Sequence, residues 1–146
     1  MESRNLKNHR AAHEAFNRRD FDAVVKEYAE RISWIDQARG ITFRTPQEFR
    51  DSFLQGWIEA SSDCQVTDAR YTEAGDTVIA RFTCRGTHDG PLGPFPATGK
   101  EWTLPLCELW HFDVDGRVVG GEIYYDQASL LTQLGLLPEA SPTVPG

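Results

Sequence analysis

Three acidic side chains in the second half of the chain have the types and spacing for proton-transfer chemistry. Asp126 ends a mostly apolar strand-like segment, where a carboxylate must be solvated, paired, used as a cap or kept for chemistry. Glu108 and Glu122 lie in two neighbouring strand-like segments. If they face each other, repulsion is relieved when one of them holds a proton, which raises its pKa. A protonated acid beside an ionised Asp126 would form a general acid and base set.

Each of these residues also has a simpler structural role available. Asp126 directly precedes a Leu-rich helical segment and could serve only as its N-cap. His88 keeps the strand parity of Val78 to Cys84, so we expect it to face the same interior as Asp126. There it could orient a substrate or protonate a developing enolate, or it could merely bond to loop backbone.

His9 and His13 are one helical turn apart, which is the spacing of a two-histidine metal pair. No third ligand follows at a recognisable spacing. We therefore expect no metal, and no cofactor.

The register of the hairpin formed by segments 102–112 and 118–126 decides what Asp126 can contact. In one register Phe112 faces Val118 and Glu108 faces Glu122. In the alternative, a two-residue loop on Asp115-Gly116 brings His111 onto the face of Asp126 and turns Trp110 and Glu108 away. The first register is preferred because it keeps Phe112 and Val118 on one face. It would make one face from Trp102, Leu104, Leu106, Glu108, Trp110, Phe112, Val118, Glu122, Tyr124 and Asp126.

Helical and strand-like patterns divide the chain into ten segments. A Thr45-Pro46-Gln47-Glu48 capping box is the clearest local signal, and Gly135 suits the position after a final helix. The segments predict helices over about 5–19, 21–28, 46–60 and 127–134, and strands over 32–36, 41–43, 65–72, 78–84, 102–112 and 118–126. A Gly/Pro-rich loop over 86–99 has the length of a lid or pocket rim. Helices segregated from a curved antiparallel sheet indicate an α+β domain.

Length and composition limit the classes of function. The 146 residues predict a single domain over 1–137 and a flexible tail over 138–146. A net charge of −7, with no basic run longer than Arg18-Arg19, argues against nucleic acid and anionic membranes as partners.

Cysteine use and surface pattern bear on location and assembly. Three cysteines without C-x-x-C spacing predict reduced thiols, and no segment is apolar enough for a signal core or a membrane span. We expect a cytoplasmic protein. Outward apolar side chains at Ile35, Leu109 and Tyr125 predict a homodimer.

Several motifs resemble a known superfamily over about residues 5–137. The helix pair, the early Trp-containing strand and the Phe-Asp-Val-Asp-Gly-Arg-Val hairpin resemble the nuclear-transport-factor-2-like (cystatin-like) superfamily of cone-shaped α+β barrels. Gly86-Thr-His-Asp-Gly90 with Thr98-Gly-Lys100, and Asp126 with Leu131-Thr-Gln-Leu-Gly135, resemble its SnoaL-like polyketide cyclase and ester cyclase group. The resemblance implies a strongly curved, mainly antiparallel sheet with the N-terminal helices packed across its concave face.

The resemblance also implies a chemistry. Members of the group close polycyclic polyketides by cofactor-free aldol condensation, with an aspartate base at the position of Asp126. Relatives isomerise ketosteroids, hydrolyse epoxides or only bind ligands. Glu122 departs from the aromatic residue that many members carry at its position.

Our hypothesis is a cofactor-free general acid–base reaction on a small, largely apolar ligand. Asp126 would remove a proton alpha to a carbonyl, and His88, Tyr124 or a protonated Glu122 would stabilise the enolate. The expected substrate-binding residues are Trp34, Trp57, Leu106, Glu108, Trp110, Phe112 and Tyr124. Two alternatives are a hydrolase of the epoxide-hydrolase type, in which Asp126 and Glu108 activate a water and Arg81 or Arg85 holds these acids in register, and a non-catalytic ligand-binding domain.

Overall fold

The computed structural model describes residues 1–138, and its order of elements matches the predicted alternation of helices and strands. The helices are α1 Arg4–Asn17, α2 Phe21–Val24, α3 Pro46–Glu48, α4 Gln55–Ala60 and α5 Gln127–Gln133, with a π-helical turn Phe49–Leu54 joining α3 to α4. The strands are β1 Tyr28–Asp36, β2 Ile41–Phe43, β3 Gln65–Ala74, β4 Thr77–Thr87, β5 Glu101–Phe112 and β6 Val118–Tyr124. Apart from Pro138, the expected tail lies outside the described residues.

The six strands form one curved, unclosed sheet in the order β2-β1-β6-β5-β4-β3. All neighbours are antiparallel except β1 and β6, which run parallel. The α+β class and the mainly antiparallel sheet are therefore confirmed. Helix α1 lies against β3 and β4, and its inward face carries His9, Ala12, His13, Ala15 and Phe16, all buried.

Local capping signals are satisfied as the sequence predicts. The Thr45 hydroxyl accepts the backbone N–H of Glu48 at 3.1 Å, and Pro46 occupies the first helical turn. The Glu48 carboxylate accepts the backbone N–H of Arg44 at 2.8 Å, which completes a box that satisfies free donors at the helix start. Gly135 has a φ of +74° directly after α5, as expected for a helix that ends in the left-handed conformation.

The hairpin of β5 and β6 starts in the preferred register and then shifts by one residue. Phe112 pairs with Val118, but the next pair is His111 with Gly120, so Val119 is an extra residue on β6. Such a bulge reverses which side chains face inward beyond it. Glu108 consequently faces Ile123 rather than Glu122, and the predicted continuation of the register is wrong.

Two glycines directly follow the bulge residue Val119. A Cβ on Gly120 would lie 2.5 Å from the backbone oxygen of Ser33, and one on Gly121 would lie 2.7 Å from Nε1 of Trp34. Both positions therefore need glycine, because β1 and its Trp34 approach the β6 backbone too closely for a side chain.

In the described part of the chain, no helix is both long and apolar enough to cross a membrane. The three cysteines are free thiols: Cys64 and Cys84 are buried, and Cys107 is half-buried.

Candidate functional site

The space between helix α1 and the curved sheet, which we call the interior of the cone, holds a buried cluster of two imidazoles and one carboxylate. His9 and His13 project from α1, and Glu108 projects inward from β5. Nε2 of His9 lies 2.7 Å, and Nε2 of His13 lies 3.0 Å, from the same Oε1 atom of Glu108. The hydroxyl of Tyr71 on β3 lies 2.7 Å from Nδ1 of His13. Because an ionised carboxylate only accepts hydrogen bonds, both Nε2 atoms carry protons.

Burial and hydrogen bonding act in opposite directions on this cluster. Burial alone would raise the pKa of Glu108, but the hydrogen bonds from His13 and His9 outweigh it and lower that pKa to about 2. Burial lowers the pKa of His9 to about 4, although Glu108 opposes the change. At neutral pH the carboxylate is therefore ionised and His9 is neutral.

The same three side chains are the best metal candidate among the described residues, since their ligand atoms all lie within 4.8 Å of one another. Two histidines and a glutamate are a ligand set that Zn²⁺ accepts. However, tetrahedral bonds of 2.0–2.1 Å would hold ligand atoms about 3.3 Å apart. The observed 2.7 and 3.0 Å are instead hydrogen-bond lengths. The arrangement fits two N–H donors on one oxygen better than three ligands around an ion.

Glu108 also forms part of the wall of a small inner cavity of about 40 Å³. Its Oε1 atom takes both imidazole hydrogen bonds, and its Oε2 atom accepts none from the described residues. The rest of the wall is apolar or sulfur-containing: Phe16, Phe53, Trp57, Cys64, Val66, Phe82, Cys84, Leu106 and Ile123. The cavity has room for a water molecule or a small group beside a free carboxylate oxygen.

A second pocket, of about 130 Å³, lies between α4, the 88–93 segment and α5; we call it the mouth pocket. His88 and Trp102 belong to its wall, and Trp57 belongs to the walls of both cavities. His88 is 1% exposed, and Nδ1 accepts the backbone N–H of Thr98 at 3.2 Å. The prediction that His88 is interior is confirmed.

The prediction that Asp126 faces the interior is wrong. Asp126 is exposed, and its carboxylate accepts the backbone N–H of Ser129 at 3.0 Å as the N-cap of α5. Asp126 therefore has the structural role given as the alternative in the sequence analysis, that of the N-cap of the last helix. The prediction that Asp126 faces inward depends on regular alternation of side chains along β6. The bulge interrupts this alternation, and the strand ends at Tyr124, before Asp126.

Glu122 and Tyr124 also differ from expectation, because both lie on the outer side of the sheet. Nε2 of His111 lies 2.9 Å from a carboxylate oxygen of Glu122, and Tyr124 is 47% exposed. Tyr125, expected to face outward, instead donates to the buried carboxylate of Asp36 at 2.9 Å and lines the mouth pocket.

The remaining predicted residues lie inside the cone as expected. Trp34, Leu106, Trp110 and Phe112 are buried members of the core. Among them, Leu106 lines the inner cavity, and Trp110 stacks on His9 with ring centroids 4.2 Å apart. Arg81 and Arg85 are exposed, as parity predicts.

Sequence reasoning missed the meeting of His9 and His13 with Glu108, across 99 and 95 residues of chain. The spacing of the two histidines is visible in the sequence. Their partner Glu108, however, is predicted to face Glu122 across the hairpin and not the first helix. The adjacent Gly120 and Gly121 were the available signal, since glycine inside a strand marks a bulge or a close backbone approach.

Comparison with known proteins agrees with this architecture. The family model of the SnoaL-like domain matches residues 9–120. AclR from Streptomyces galilaeus, a candidate hydroxylase, is 24% identical with a TM-score of 0.81, covering 94% of this chain and 85% of that chain. A candidate polyketide cyclase from Xanthomonas campestris is 26% identical with a TM-score of 0.76, covering 89% and 98%. TerC, co-crystallised with polyporic acid, is 18% identical with a TM-score of 0.73, covering 91% and 99%. Among curated proteins no match is found.

Proposed function

Because this chain belongs to the family of SnoaL-like domains, we propose that it binds a small, largely apolar carbonyl compound in its cone and transfers a proton on it. Glu108 takes the role that the sequence suggested for Asp126. The observation that carries the proposal is a buried, ionised Glu108 carboxylate in the wall of an apolar cavity, whose Oε2 atom accepts no hydrogen bond from the described residues. Similarity to a candidate polyketide cyclase supports the carbonyl chemistry.

The two imidazoles define what Glu108 can do. They fix Oε1 and keep the carboxylate ionised, so Oε2 is ready to accept a proton alpha to a bound carbonyl. Because the hydrogen bonds from His13 and His9 lower the pKa of Glu108, the carboxyl group gives the proton back readily once it has accepted it. A cyclisation or an isomerisation needs both proton transfers, because the proton that the base removes from carbon is later delivered to the product. A ligand that fills the cavity excludes water, which adds to the burial that already favours the protonated acid.

The test is hydrogen–deuterium exchange at the alpha carbon of acetone, chosen because the cavity beside Glu108 is only about 40 Å³, in D₂O. Wild-type protein should accelerate exchange, and Glu108→Gln should lose at least about 100-fold of that acceleration, the lower range for a general base. Glu122→Gln is the matched control, because Glu122 contacts His111 in a similar pair on the outer face. Equal exchange by wild type and Glu108→Gln would refute the proton-transfer proposal and leave a ligand-binding domain.

The same experiment with a chelator distinguishes proton transfer by Glu108 from metal catalysis. Exchange should be unchanged after dialysis against EDTA and after later addition of Zn²⁺, because both Nε2 atoms carry protons and lie at hydrogen-bond distance from Oε1. Loss of exchange with EDTA, restored by Zn²⁺, would replace the proposal with a metal-dependent one.

We also propose that the protein is a homodimer formed through the outer sheet face. Val119 and Tyr124 are exposed there at 37% and 47%, and Ile35 and Leu109 are half-buried. Sedimentation should give twice the monomer mass, and Val119→Glu should reduce it to the monomer. A monomeric wild type would contradict this proposal.

The three free thiols support a further proposal, that the protein resides in the reducing cytoplasm. Cell fractionation checks it, and recovery outside the cytoplasm would overturn it.

A further inference from the structure

We infer that the outer face of the sheet carries an oxyanion site, in which Arg70 and Arg81 bind the dianionic phosphate group of a phosphate monoester. The site lies on the opposite side of the sheet from the Glu108 cluster, so the inference does not rest on the proposed proton transfer. It starts from a pairing within the sheet: Arg70 on β3 is directly opposite Arg81 on β4.

An irregularity in β3 creates this pairing. From Gln65 to Thr67 the residues of β3 pair with β4 in regular order, and continuation of that order would place Ala69 opposite Arg81. The register shifts between Thr67 and Arg70, so Arg70 takes that position. A β-bulge can re-aim a side chain, and bulges are over-represented next to functional sites. The extra residue in β3 therefore brings two guanidinium groups onto neighbouring positions of one face.

The two guanidinium groups have no acidic partner. Side chains directly opposite each other on antiparallel strands have Cβ atoms about 5 Å apart, and like charges there repel. Both arginines are exposed, and neither forms an ion pair with a carboxylate of the described residues. Acidic side chains are available in excess, since the chain has 22 of them against 15 basic ones. An anion bound between the two arginines would replace their repulsion by attraction.

Both arginines line an open groove of about 970 Å³. Arg81 is opposite Cys107 on β5, so Arg70, Arg81 and Cys107 form one row across three strands, and Pro105 lines the groove beside them. At about 4.8 Å between strands, the row is about 10 Å long. Its cationic end fits a phosphate group, and its less polar end on β5 fits the organic part of a monoester.

The charges in the groove favour a phosphate monoester over a monoanion. Two guanidinium groups match the nearly two negative charges that a phosphate monoester carries at neutral pH. Each planar fork of N–H groups can donate two hydrogen bonds to phosphate oxygens, and a tetrahedral group has oxygens for both forks. Asp68 and Asp126 also line the groove, so its net charge is near zero. Only an anion that contacts the arginines directly is therefore expected to bind.

The test compares phenyl phosphate with phenyl sulfate, which has nearly the same shape and one negative charge fewer, by calorimetric titration at pH 7 and equal ionic strength. Wild type should bind the phosphate at least about 5-fold more tightly, because a further unit charge interacts with both guanidinium groups. Arg70→Gln and Arg81→Gln should each weaken phenyl phosphate at least about 10-fold, the worth of one charge-assisted hydrogen bond.

Arg85→Gln is the matched control. Arg85 is exposed on the same face of β4, but it is opposite Gln65 and does not line the groove. Its removal should change the affinity less than about 2-fold, because exposed charges about a Debye length away are largely screened. Val119→Glu, the variant that separates the proposed dimer, should bind as wild type does, because both arginines belong to one chain.

Thermal unfolding gives a second readout. In phosphate-free buffer Arg81→Gln should be at least as stable as wild type, because the substitution removes the repulsion between the two guanidinium groups. Phenyl phosphate should raise the Tm of wild type and leave that of Arg81→Gln unchanged.

Four results would overturn the inference: equal affinities for the two ligands, undiminished binding in Arg70→Gln or Arg81→Gln, an equal loss in Arg85→Gln, or loss of binding in Val119→Glu. An equal loss in Arg85→Gln would indicate the diffuse field of a basic surface, and a loss in Val119→Glu a site that needs two copies of the chain. Glu108→Gln should bind phenyl phosphate as wild type does, so failure of this inference and failure of the proton-transfer proposal are distinguishable.

Discussion

Nε2 of His9 and Oε1 of Glu108 are 2.7 Å apart in the core, joining the first helix to the fifth strand across 99 residues. The contact satisfies a carboxylate that is 5% exposed. Such a contact couples the stability of the fold to the protonation of its interior, because loss of the ionised carboxylate would leave the buried Nε2–H groups of His9 and His13 unpaired.

Removal of the inner carboxylate should destabilise the fold strongly. Glu108→Ala leaves two buried imidazole donors unsatisfied, at roughly 1–3 kcal/mol each. Glu122→Ala, which breaks the partly exposed pair with His111, should cost about 0–1 kcal/mol. Urea unfolding measures both free energies. Similar losses in the two variants would contradict the structural importance of the cluster.

Stability should fall as the solution is acidified. The pKa of His9 is about 4 in the folded chain and ordinarily 6.5, so the unfolded state binds more protons between these values. Stability is therefore lost as pH falls through this range, by up to roughly 3 kcal/mol from His9. Glu108, with a pKa of about 2 against an ordinary 4.5, adds a loss of the same sign at lower pH. Unfolding free energies from pH 7 to pH 4 measure the slope, and His9→Gln should flatten it. An equally steep slope in that variant would show that other groups dominate.

His13 should control the proton affinity of Glu108. His13→Phe removes a hydrogen bond that lowers the pKa of Glu108, while burial, which raises it, remains. The acid limb of the ketone exchange rate should therefore move to higher pH. The pH–rate profile of the variant measures this, with Tyr71→Phe as the control because it spares both bonds to Glu108. An acid limb that stays in place would mean that Glu108 is not the titrating base.

Asp126 should matter for the last helix and not for proton transfer. Asp126→Ala should cost about 1 kcal/mol of stability, and Asp126→Asn should be nearly neutral, because asparagine caps helices as well as aspartate. Neither change should alter ketone exchange once the fraction folded is corrected for. Loss of exchange in a folded Asp126→Asn would restore Asp126 as the base.

The sequence predicts the elements well because local signals determine them. Strand alternation in Val78 to Cys84, the capping box at Thr45 and the helix end at Gly135 each follow from neighbouring residues. Local signals do not determine which side chains of β6 face inward. Their orientation depends on how closely β1 approaches Gly120, a contact between distant segments. One extra residue at Val119 therefore reversed the side of every later residue of the strand.

The need for glycine at position 121 can be tested directly, with Gly56 as the comparison. Gly121→Ala places a methyl group 2.5 Å from the Leu109 carbonyl oxygen, so it should destabilise by about 1–3 kcal/mol. Gly56→Ala, within α4 and with nothing within 4 Å, should stabilise by up to about 1 kcal/mol. Thermal unfolding of both variants measures the contrast. A tolerated Gly121→Ala would mean that the neighbouring strands can move apart to admit a side chain there.

The π-helical turn Phe49–Leu54 lies just before Trp57, the residue common to both cavities. Each residue of a helix turns the chain by about 100°. Deleting one residue in the turn would thus swing the indole of Trp57 round the helix axis without altering its chemistry. The position of the indole that lines both cavities is therefore determined by the number of residues in the turn, which side-chain substitutions leave unchanged.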